Sequence, residues 1–180
     1  YDQGGYFIVD GKEKFIVTQE ENATNLLLVY KKENRKDDKY AYNALIRCMS
    51  EKSVFPKSVE FYVFSKHYRK GLRKDAIVVT IPHINMEIPL FVLFRCLGVE
   101  SDMDILKCII GNELNSDIAR LFMDFLYASI TDGNIVYNKK QAIRYVESGT
   151  HFKTEANVEY ILRENLFPNI EYDVTRFDRE

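Results

Sequence analysis

The sequence predicts an α+β fold, with mixed strands in its N-terminal half, helices in its C-terminal half and a β-hairpin near its start. Short runs rich in β-branched and aromatic residues recur up to residue 81, whereas apolar residues spaced by three and four follow from residue 90. An Asp-Gly pair also separates two apolar runs near the start. Strands that precede helices are typical of α+β folds, and an alternating βαβ fold is not indicated.

The hairpin is predicted at residues 4–19, around Asp10-Gly11. Asp-Gly favours a type I′ turn, in which both central residues need positive φ. Apolar side chains lie on both faces of this ribbon: Tyr6, Ile8, Phe15 and Val17 on one, and Phe7, Val9 and Ile16 on the other. We therefore expect it to be buried between other elements, not all of which need belong to this chain.

Four further strands are predicted at residues 24–30, 40–49, 59–64 and 76–81, and the first is expected to be buried. Residues 31–39 carry mixed charges and are expected to form a solvated loop. The most basic segment, residues 65–75, has five cations: Lys66, Arg69, Lys70, Arg73 and Lys74. At a hairpin tip these could neutralise nucleic-acid phosphates without reading base identity. A solvated turn that keeps the protein soluble is the alternative.

The first two predicted helices have clear end signals. Pro89 suits a first helical turn and Gly98 suits the C′ position, so an apolar core helix is expected between them. Ser101 is expected to cap the second helix, with acidic residues in its first turn. The buried stripe of this second helix is predicted to consist of Ile105, Leu106 and Ile109.

Three more helices follow. The third is predicted to begin at Ser116 and to end at Asp132-Gly133, the fourth to span residues 139–147, and the last to run from Thr154 to Pro168. Spacings of three and four predict the buried stripes. They are Ile118, Leu121, Phe122, Phe125, Leu126 and Ile130 in the third helix, and Val158, Ile161, Leu162 and Leu166 in the last.

Composition excludes several classes of function. The formal net charge of −2 favours neither nucleic acid nor membrane, so a polyanion site would have to be a local patch. The three cysteines form no C-x-x-C pair and the three histidines have no ligand pattern, so we expect buried thiols and no metal site. No motif of a hydrolase, a nucleotide-binding loop or a metalloprotease occurs. The absence of an initial Met suggests a piece of a longer protein.

Two stretches resemble the second-largest subunit of multisubunit DNA-directed RNA polymerases. Residues 4–14 read GGYFIVDGKEK and match that family's G-G-Y-F-I-[IV]-[ND]-G-x-E-[KR] segment. Residues 88–99 read IPLFVLFRCLGV and, with Asp102 and Ile105-Leu106, match I-P-x-x-x-x-F-R-A-L-G-[IV]-x-x-D-x-x-I-L, except that Cys96 replaces Ala. A later L-P-H landmark is matched less well, because Asn169 stands where the family has His. The pattern suits the eukaryotic RNA polymerase II type or a large-DNA-virus homologue.

The resemblance implies the lobe domain of that subunit, a wall of the DNA cleft that is not catalytic by itself. Residues 1–22 would be a hairpin that joins the lobe to the protrusion, residues 23–172 the lobe, and residues 173–180 the start of the return to the protrusion. Mg and Zn are expected elsewhere in the whole polymerase and no cofactor in this chain. Expected partners are the DNA template, the RNA–DNA hybrid, other subunits (chiefly the largest) and initiation factors, with no membrane.

The resemblance also implies which residues lie near nucleic acid. Gln19 is expected near the hybrid, and Lys12 and Lys14 in the polar turn, while the alternative is that the hairpin only anchors two domains. With the basic segment, the full set is Lys12, Lys14, Gln19, Lys66, Arg69, Lys70, Arg73 and Lys74. A protein-docking module without DNA contact is the alternative function. The expected location is the nucleus for a cellular protein, and the host cytoplasm or the virion for a viral one.

Overall fold

The computed structural model describes residues 5–32, 39–49, 55–65, 75–111, 117–150 and 155–166. These residues form a two-stranded ribbon, a five-stranded antiparallel sheet and a group of helices, which confirms the predicted α+β class. The strands are β1 (Tyr6–Val9), β2 (Lys12–Phe15), β3 (Leu27–Lys31), β4 (Tyr40–Cys48), β5 (Lys57–Phe64), β6 (Ile77–Thr80) and β7 (Ile88–Pro89). The helices are α1 (Leu90–Cys96), α2 (Asp102–Ile110), α3 (Asp117–Gly133), α4 (Lys139–Glu147) and α5 (Glu155–Leu166).

The N-terminal ribbon has the predicted turn but not the expected burial. Strands β1 and β2 pair with Val9 opposite Lys12, and the two turn residues, Asp10 and Gly11, have φ values of 53° and 70°. Both lie in the left-handed region that a type I′ turn requires. All residues of both strands are exposed, Ile8 at 72% and Phe15 at 74%. Within the described chain the expectation of a buried ribbon is therefore wrong, because no other element covers these apolar faces.

The five-stranded sheet has the order β3-β4-β5-β6-β7. Strands β4, β5 and β6 confirm the strands predicted at 40–49, 59–64 and 76–81. The strand predicted at 24–30 is present as β3, but the prediction that it is buried is wrong. Leu27 and Val29 are 57% and 67% exposed, because β3 is the edge of the sheet and pairs only with β4 among the described residues.

Helix α1 lies at the centre of the core. Its side chains are buried almost all round, as predicted, and pack with the inner face of the sheet and with the other helices. The N–H of Gly98, at φ 101°, donates to the carbonyl of Arg95, and the N–H of Val99 donates to that of Phe94. This pair of bonds is a Schellman motif, which confirms the predicted C′ glycine. Pro89 was expected in the first turn, but it precedes the helix, because its extended backbone pairs with β6.

Helix α5 buries Val158, Ile161 and Leu162 as predicted and Leu166 in part. Helix α4, for which no buried stripe was predicted, buries Ala142, Ile143 and Val146. In α2 Ile105 and Leu106 are buried but Ile109 is 36% exposed, because it faces an open groove. Ser101 occupies the N-cap position of α2 without a side-chain capping bond. The predicted boundaries at Ser116, Thr154 and Pro168 lie outside the described residues.

Helix α3 buries only part of the predicted stripe: Leu126 is buried and Ile130 partly buried, but Leu121, Phe122 and Phe125 are exposed. Its buried side chains include Ala119, Leu126 and Ser129, whereas Leu121 and Phe122 are 72% and 49% exposed. Small residues let this helix approach its neighbours closely. A Cβ added at Gly133 would lie 2.4 Å from the Cβ of Phe91 in α1, and the backbone N–H of Ile77 donates to Ser129 Oγ at 2.9 Å. Leu121, Phe122 and Phe125 are therefore left exposed on α3.

Candidate functional site

The lysines of the hairpin lie on one face of the ribbon. In the observed register, Lys12 is opposite Val9 and Lys14 is opposite Phe7, so these four side chains share a face. Glu13 belongs to the other face, opposite Ile8. No carboxylate among the described residues pairs with Lys12 or Lys14. One face of the ribbon therefore combines apolar side chains with two unpaired positive charges.

Gln19 lies beyond the ribbon, in an exposed stretch without regular structure that follows β2. No hydrogen bond or ion pair of the described residues joins it to Lys12 or Lys14. The structure thus keeps all three residues exposed at the N-terminal side of the chain, without assembling them into one cluster.

The basic segment lies outside the described residues, including Lys66, Arg69, Lys70, Arg73 and Lys74, but its two ends are described. The N–H of Ser65 donates to the carbonyl of Lys39 at 3.0 Å, and the N–H of Asp75 donates to that of Phe64 at 3.3 Å. The segment therefore connects β5 and β6, as predicted. It leaves the sheet beside the start of β4, at the end where the connection between β3 and β4 also leaves.

Two lysines at this end of the sheet were not predicted as site residues. Lys32 Nζ lies 5.7 Å from the ring centroid of Tyr40 and 5.8 Å from that of Tyr62, and these two rings stack at 4.3 Å. Lys39 Nζ lies 5.1 Å from the Tyr40 centroid. Cations over aromatic faces are held by the ring quadrupole. The mixed-charge run at residues 31–39 gave no indication of this aromatic floor, since Tyr62 belongs to another strand.

Lys39 and Tyr40 also share a carboxylate. The ammonium of Lys39 and the hydroxyl of Tyr40 both donate to Oε1 of Glu87. Burial lowers the pKa of Lys39, but the hydrogen bonds with Glu87 and Tyr40 outweigh it and leave that pKa above 10.5. Burial, and then the hydrogen bond with Glu87, raise the pKa of Tyr40. This cluster therefore fixes the start of β4 to the segment before β7.

The arginine of the second matched motif has a structural role. The side chain of Arg95 is 2% exposed. Its Nη1 donates to the carbonyls of Gly133 at 2.6 Å and Val136 at 2.5 Å, its Nε to the carbonyl of Glu100 at 3.3 Å, and its Nη2 to Asp102. Guanidinium suits this task because its planar fork can donate in several directions at once. Arg95 thus joins α1, the start of α2 and the end of α3.

A large apolar groove opens between the sheet and the helical layer. Its volume is about 940 Å³, and none of the described residues that line it is charged. Leu27, Val29 and Ala44 belong to its sheet wall, and Leu97 and Phe125 to its helical wall. A groove of this size with so few polar groups is typical of a surface that another apolar segment covers. The sequence did not predict it, because its walls belong to distant segments of the chain.

The remaining candidates for chemistry are the metal-ligating side chains and the thiols. No group of three or more His, Cys, Asp or Glu residues there could hold a metal ion. Cys48 and Cys96 are buried, as predicted, and burial raises the pKa of Cys96 to about 12, with a smaller opposing effect from Lys139. The prediction is wrong for Cys108, which is exposed on α2. None of the described helices combines the length and apolar character that crossing a membrane requires.

Comparison with known proteins identifies relatives along most of the chain. A DNA-directed RNA polymerase II subunit 2 from Arabidopsis thaliana is 32% identical over 178 residues, which cover 94% of this chain and 14% of that protein. The RPB2 subunit of RNA polymerase II from Encephalitozoon cuniculi is 38% identical over 148 residues, covering 81% of this chain and 12% of that protein. A DNA-directed RNA polymerase subunit 2 from Acanthamoeba polyphaga mimivirus is 29% identical over 132 residues, which cover 73% of this chain and 10% of that protein.

The chain spans about 14% of the length of the first of these relatives. The family described as RNA polymerase Rpb2, domain 2, matches residues 24–179, which leaves only the hairpin region and the last residue outside the match. This match contains the arginine network, the five-stranded sheet and all of the helices. The chain therefore belongs to the RNA polymerase Rpb2 domain 2 family.

Proposed function

We propose that this chain is the lobe of the second-largest subunit of a DNA-directed RNA polymerase and forms one wall of its DNA cleft during transcription. The family match over residues 24–179 is the observation that carries the proposal. In this proposal residues 1–22 join the lobe to the protrusion, residues 23–172 are the lobe and residues 173–180 begin the return to the protrusion. Nucleotidyl transfer is then a property of the whole complex, to which this chain contributes no catalytic residue.

Contact with nucleic acid would come from basic side chains and from Gln19. We assign this role to Lys12, Lys14, Gln19, Lys66, Arg69, Lys70, Arg73 and Lys74. The unpaired lysines on one face of the ribbon support the assignment, as does the position of the basic segment at one end of the sheet. Such contacts would bind duplex DNA through its phosphates, without sequence preference. Gln19 would lie near the RNA–DNA hybrid.

The complete polymerase would supply the remaining components. We propose that Mg and Zn are bound elsewhere in it, that the largest subunit is the main partner, and that initiation factors bind its outer faces. No residues of the described part of this chain suit a metal ion. The nucleus is the proposed location if the protein is cellular, and the host cytoplasm or virion if it is viral. The relatives include both cellular proteins and a viral one.

The test of DNA contact is the salt dependence of duplex binding by the assembled polymerase. In one variant Arg69, Lys70, Arg73 and Lys74 become Gln. Each lost phosphate contact should make the negative slope of log K against log salt concentration shallower by about 0.9. In the control variant Gln replaces the same number of cations in the helical layer: Lys107, Arg120, Lys139 and Lys140. If the two variants have equal slopes, the basic segment does not contact the DNA.

A docking module without DNA contact is the second candidate function. One exposed apolar face of α3 supports it, because Leu121, Phe122 and Phe125 are neighbours on that helix and are 72%, 49% and 44% exposed. Exposed apolar patches on monomers commonly mark protein-interaction sites. We propose that an initiation factor would bind this face.

The two functions are distinguished by a double variant of α3. Replacing Leu121 and Phe122 with Gln should weaken binding of a purified initiation factor to the polymerase by at least tenfold and leave duplex binding unchanged. Replacing the exposed Tyr160 of α5 with Gln is the control, since it removes apolar surface from a different helix. Loss of duplex binding in the α3 variant, with factor binding intact, would reject the docking function.

A further inference from the structure

The outer edge of β3 is open in a way that sheet proteins normally avoid. Among the described residues β3 pairs only with β4, so the backbone groups along its other side face no strand. Leu26, Leu27 and Val29 are 51%, 57% and 67% exposed at this edge. Natural edge strands are usually protected by charge, proline, bulges or a covering element, because an exposed apolar edge pairs with other chains. Among the described residues the edge is therefore not covered by another strand.

The apolar groove lies beside this open edge. Leu27 and Val29 pair with Ile46 and Ala44, so all four side chains are on the inner face of the sheet, and all four line the groove. A strand added to β3 would place alternate side chains on the same face. Its apolar side chains would then enter a space of about 940 Å³, in which none of the described lining residues is charged. The matching occupant is an extended segment with apolar residues at every second position.

The connection between the hairpin and β3 runs along the end of β4. The connection from the ribbon to β3 is bound to the end of β4: Arg47 Nη1 donates to the carbonyl of Asn22 at 3.1 Å, and the N–H of Asn25 donates to the carbonyl of Arg47 at 2.8 Å. Asn25 and Met49 also exchange two hydrogen bonds of 2.9 Å. The chain that follows the apolar ribbon is therefore held against the end of β4 at the point where it enters β3.

We propose that an extended segment of the same polymerase subunit, from outside residues 1–180, adds as a strand to the free edge of β3 and fills the groove with its alternate apolar side chains. This rests on the proposed function for the identity of the subunit. The matched region covers only 14% of the length of the Arabidopsis relative, so most of such a subunit lies outside this chain. A segment of the same polypeptide has a high effective concentration at the edge. Five residues, about 17 Å, would match β3.

The test is hydrogen exchange of the β3 amides in three samples: the 180-residue chain, the complete subunit alone and the assembled polymerase. The expected result is that amides of residues 27–31 that face the free edge exchange at least a hundredfold more slowly in the complete subunit alone than in the 180-residue chain. Helix α4 provides an internal reference, because it packs within the core in every sample.

A matched pair of variants tests the role of the groove. Val29→Lys introduces a charge on the groove side of β3 and should abolish the added protection in the complete subunit. Tyr30→Lys introduces the same charge on the opposite face of the same strand, where Tyr30 is 45% exposed, and should preserve the protection. Equal behaviour of the two variants would overturn the proposal that side chains enter the groove.

The other outcomes also decide the proposal. Protection that appears only in the assembled polymerase, or only after an initiation factor is added, would assign the strand to another protein and overturn it, as would protection in no sample. Failure of the proposed function is a separate result. In that case the complete protein would not assemble with polymerase subunits, while β3 could still be protected by its own polypeptide.

Discussion

Arg95 shows how a single residue can join three helices. Its donors reach the backbone of Gly133 and Val136, at and just beyond the end of α3, and its partner Asp102 begins α2. The sequence motif places an arginine and an acid seven residues apart. It does not tell whether they face solvent, a ligand or each other. The tertiary structure brings them together, because α1 and α2 are joined by the short turn that Gly98 permits.

Removing the Arg95 guanidinium should destabilise the fold strongly. Arg95→Met leaves two buried carbonyls without their donor and Asp102 without its partner, so the free energy of unfolding should fall by about 3–5 kcal/mol. Urea unfolding followed by far-UV circular dichroism measures this. Lys107→Met is the control, since Lys107 and Asp104 form an exposed pair and the loss should be below about 1 kcal/mol. Similar losses in both variants would contradict the assigned role.

The buried thiol of Cys96 should make stability fall at alkaline pH. Burial raises its folded pKa to about 12 from an ordinary 9.0. Its contribution is therefore fully present below pH 9 and is lost as pH rises from 9 towards 12, at about 1.4 kcal/mol per pH unit. Between pH 8 and pH 10, wild type should lose about 1.4 kcal/mol more than Cys96→Ala. The free energy of unfolding is measured with urea at both pH values. If wild type and Cys96→Ala lose the same free energy between pH 8 and pH 10, the thiol ionises freely in the folded state.

At the level of secondary-structure elements, the apolar periodicity predicted where strands and helices occur better than it predicted which of their faces are buried. Strands β4 to β6 and helices α1, α4 and α5 were predicted as elements, and the residues predicted to be buried in α1 and α5 are buried or partly buried, because packing follows the apolar pattern there. In α3 the pattern pointed to Leu121, Phe122 and Phe125, yet the buried side includes Ala119 and Ser129. The buried face of α3 is decided by its close approach to α1 and β6. The apolar periodicity of a single helix does not predict that approach.

Two leucines of α3 provide a direct check of its orientation. Leu126 is 2% exposed and Leu121 is 72% exposed. Leu126→Ala should lower the free energy of unfolding by about 2–5 kcal/mol through lost burial and the cavity that remains. Leu121→Ala should change it by no more than about 0.5 kcal/mol. Chemical unfolding of the two variants in parallel measures both values, and a reversed order would show that the helix packs on its other face.

At the level of the whole molecule, sheet and helices share one core while the ribbon remains outside it. The main core cluster contains residues of β4, β5 and β6 together with residues of α1 to α5. The ribbon contributes nothing to that cluster, and its apolar faces are exposed. A unit with one shared core unfolds cooperatively, whereas a two-stranded hairpin is at best marginally stable by itself.

The ribbon should therefore be the least protected regular element of the isolated chain. Hydrogen exchange of residues 6–15 should proceed with little protection, while α1 and β5 exchange at the rate set by global unfolding. Mass-spectrometric exchange at several urea concentrations separates the two classes. Ribbon protection that matches that of α1 would mean that the hairpin packs on the core, contrary to its exposed position.

The sequence by itself determined the order of strands and helices, the type I′ turn at Asp10-Gly11 and the end of α1 at Gly98, because backbone preferences and short-range periodicity decide these features locally. It also determined the family, through two short motifs. Only the tertiary structure decided that β3 is an open edge among the described residues, that α3 leaves Leu121 and Phe122 exposed and that an apolar groove lies between sheet and helices. Those properties depend on which distant segments of the chain pack together, because a side chain is buried only where a second surface covers it.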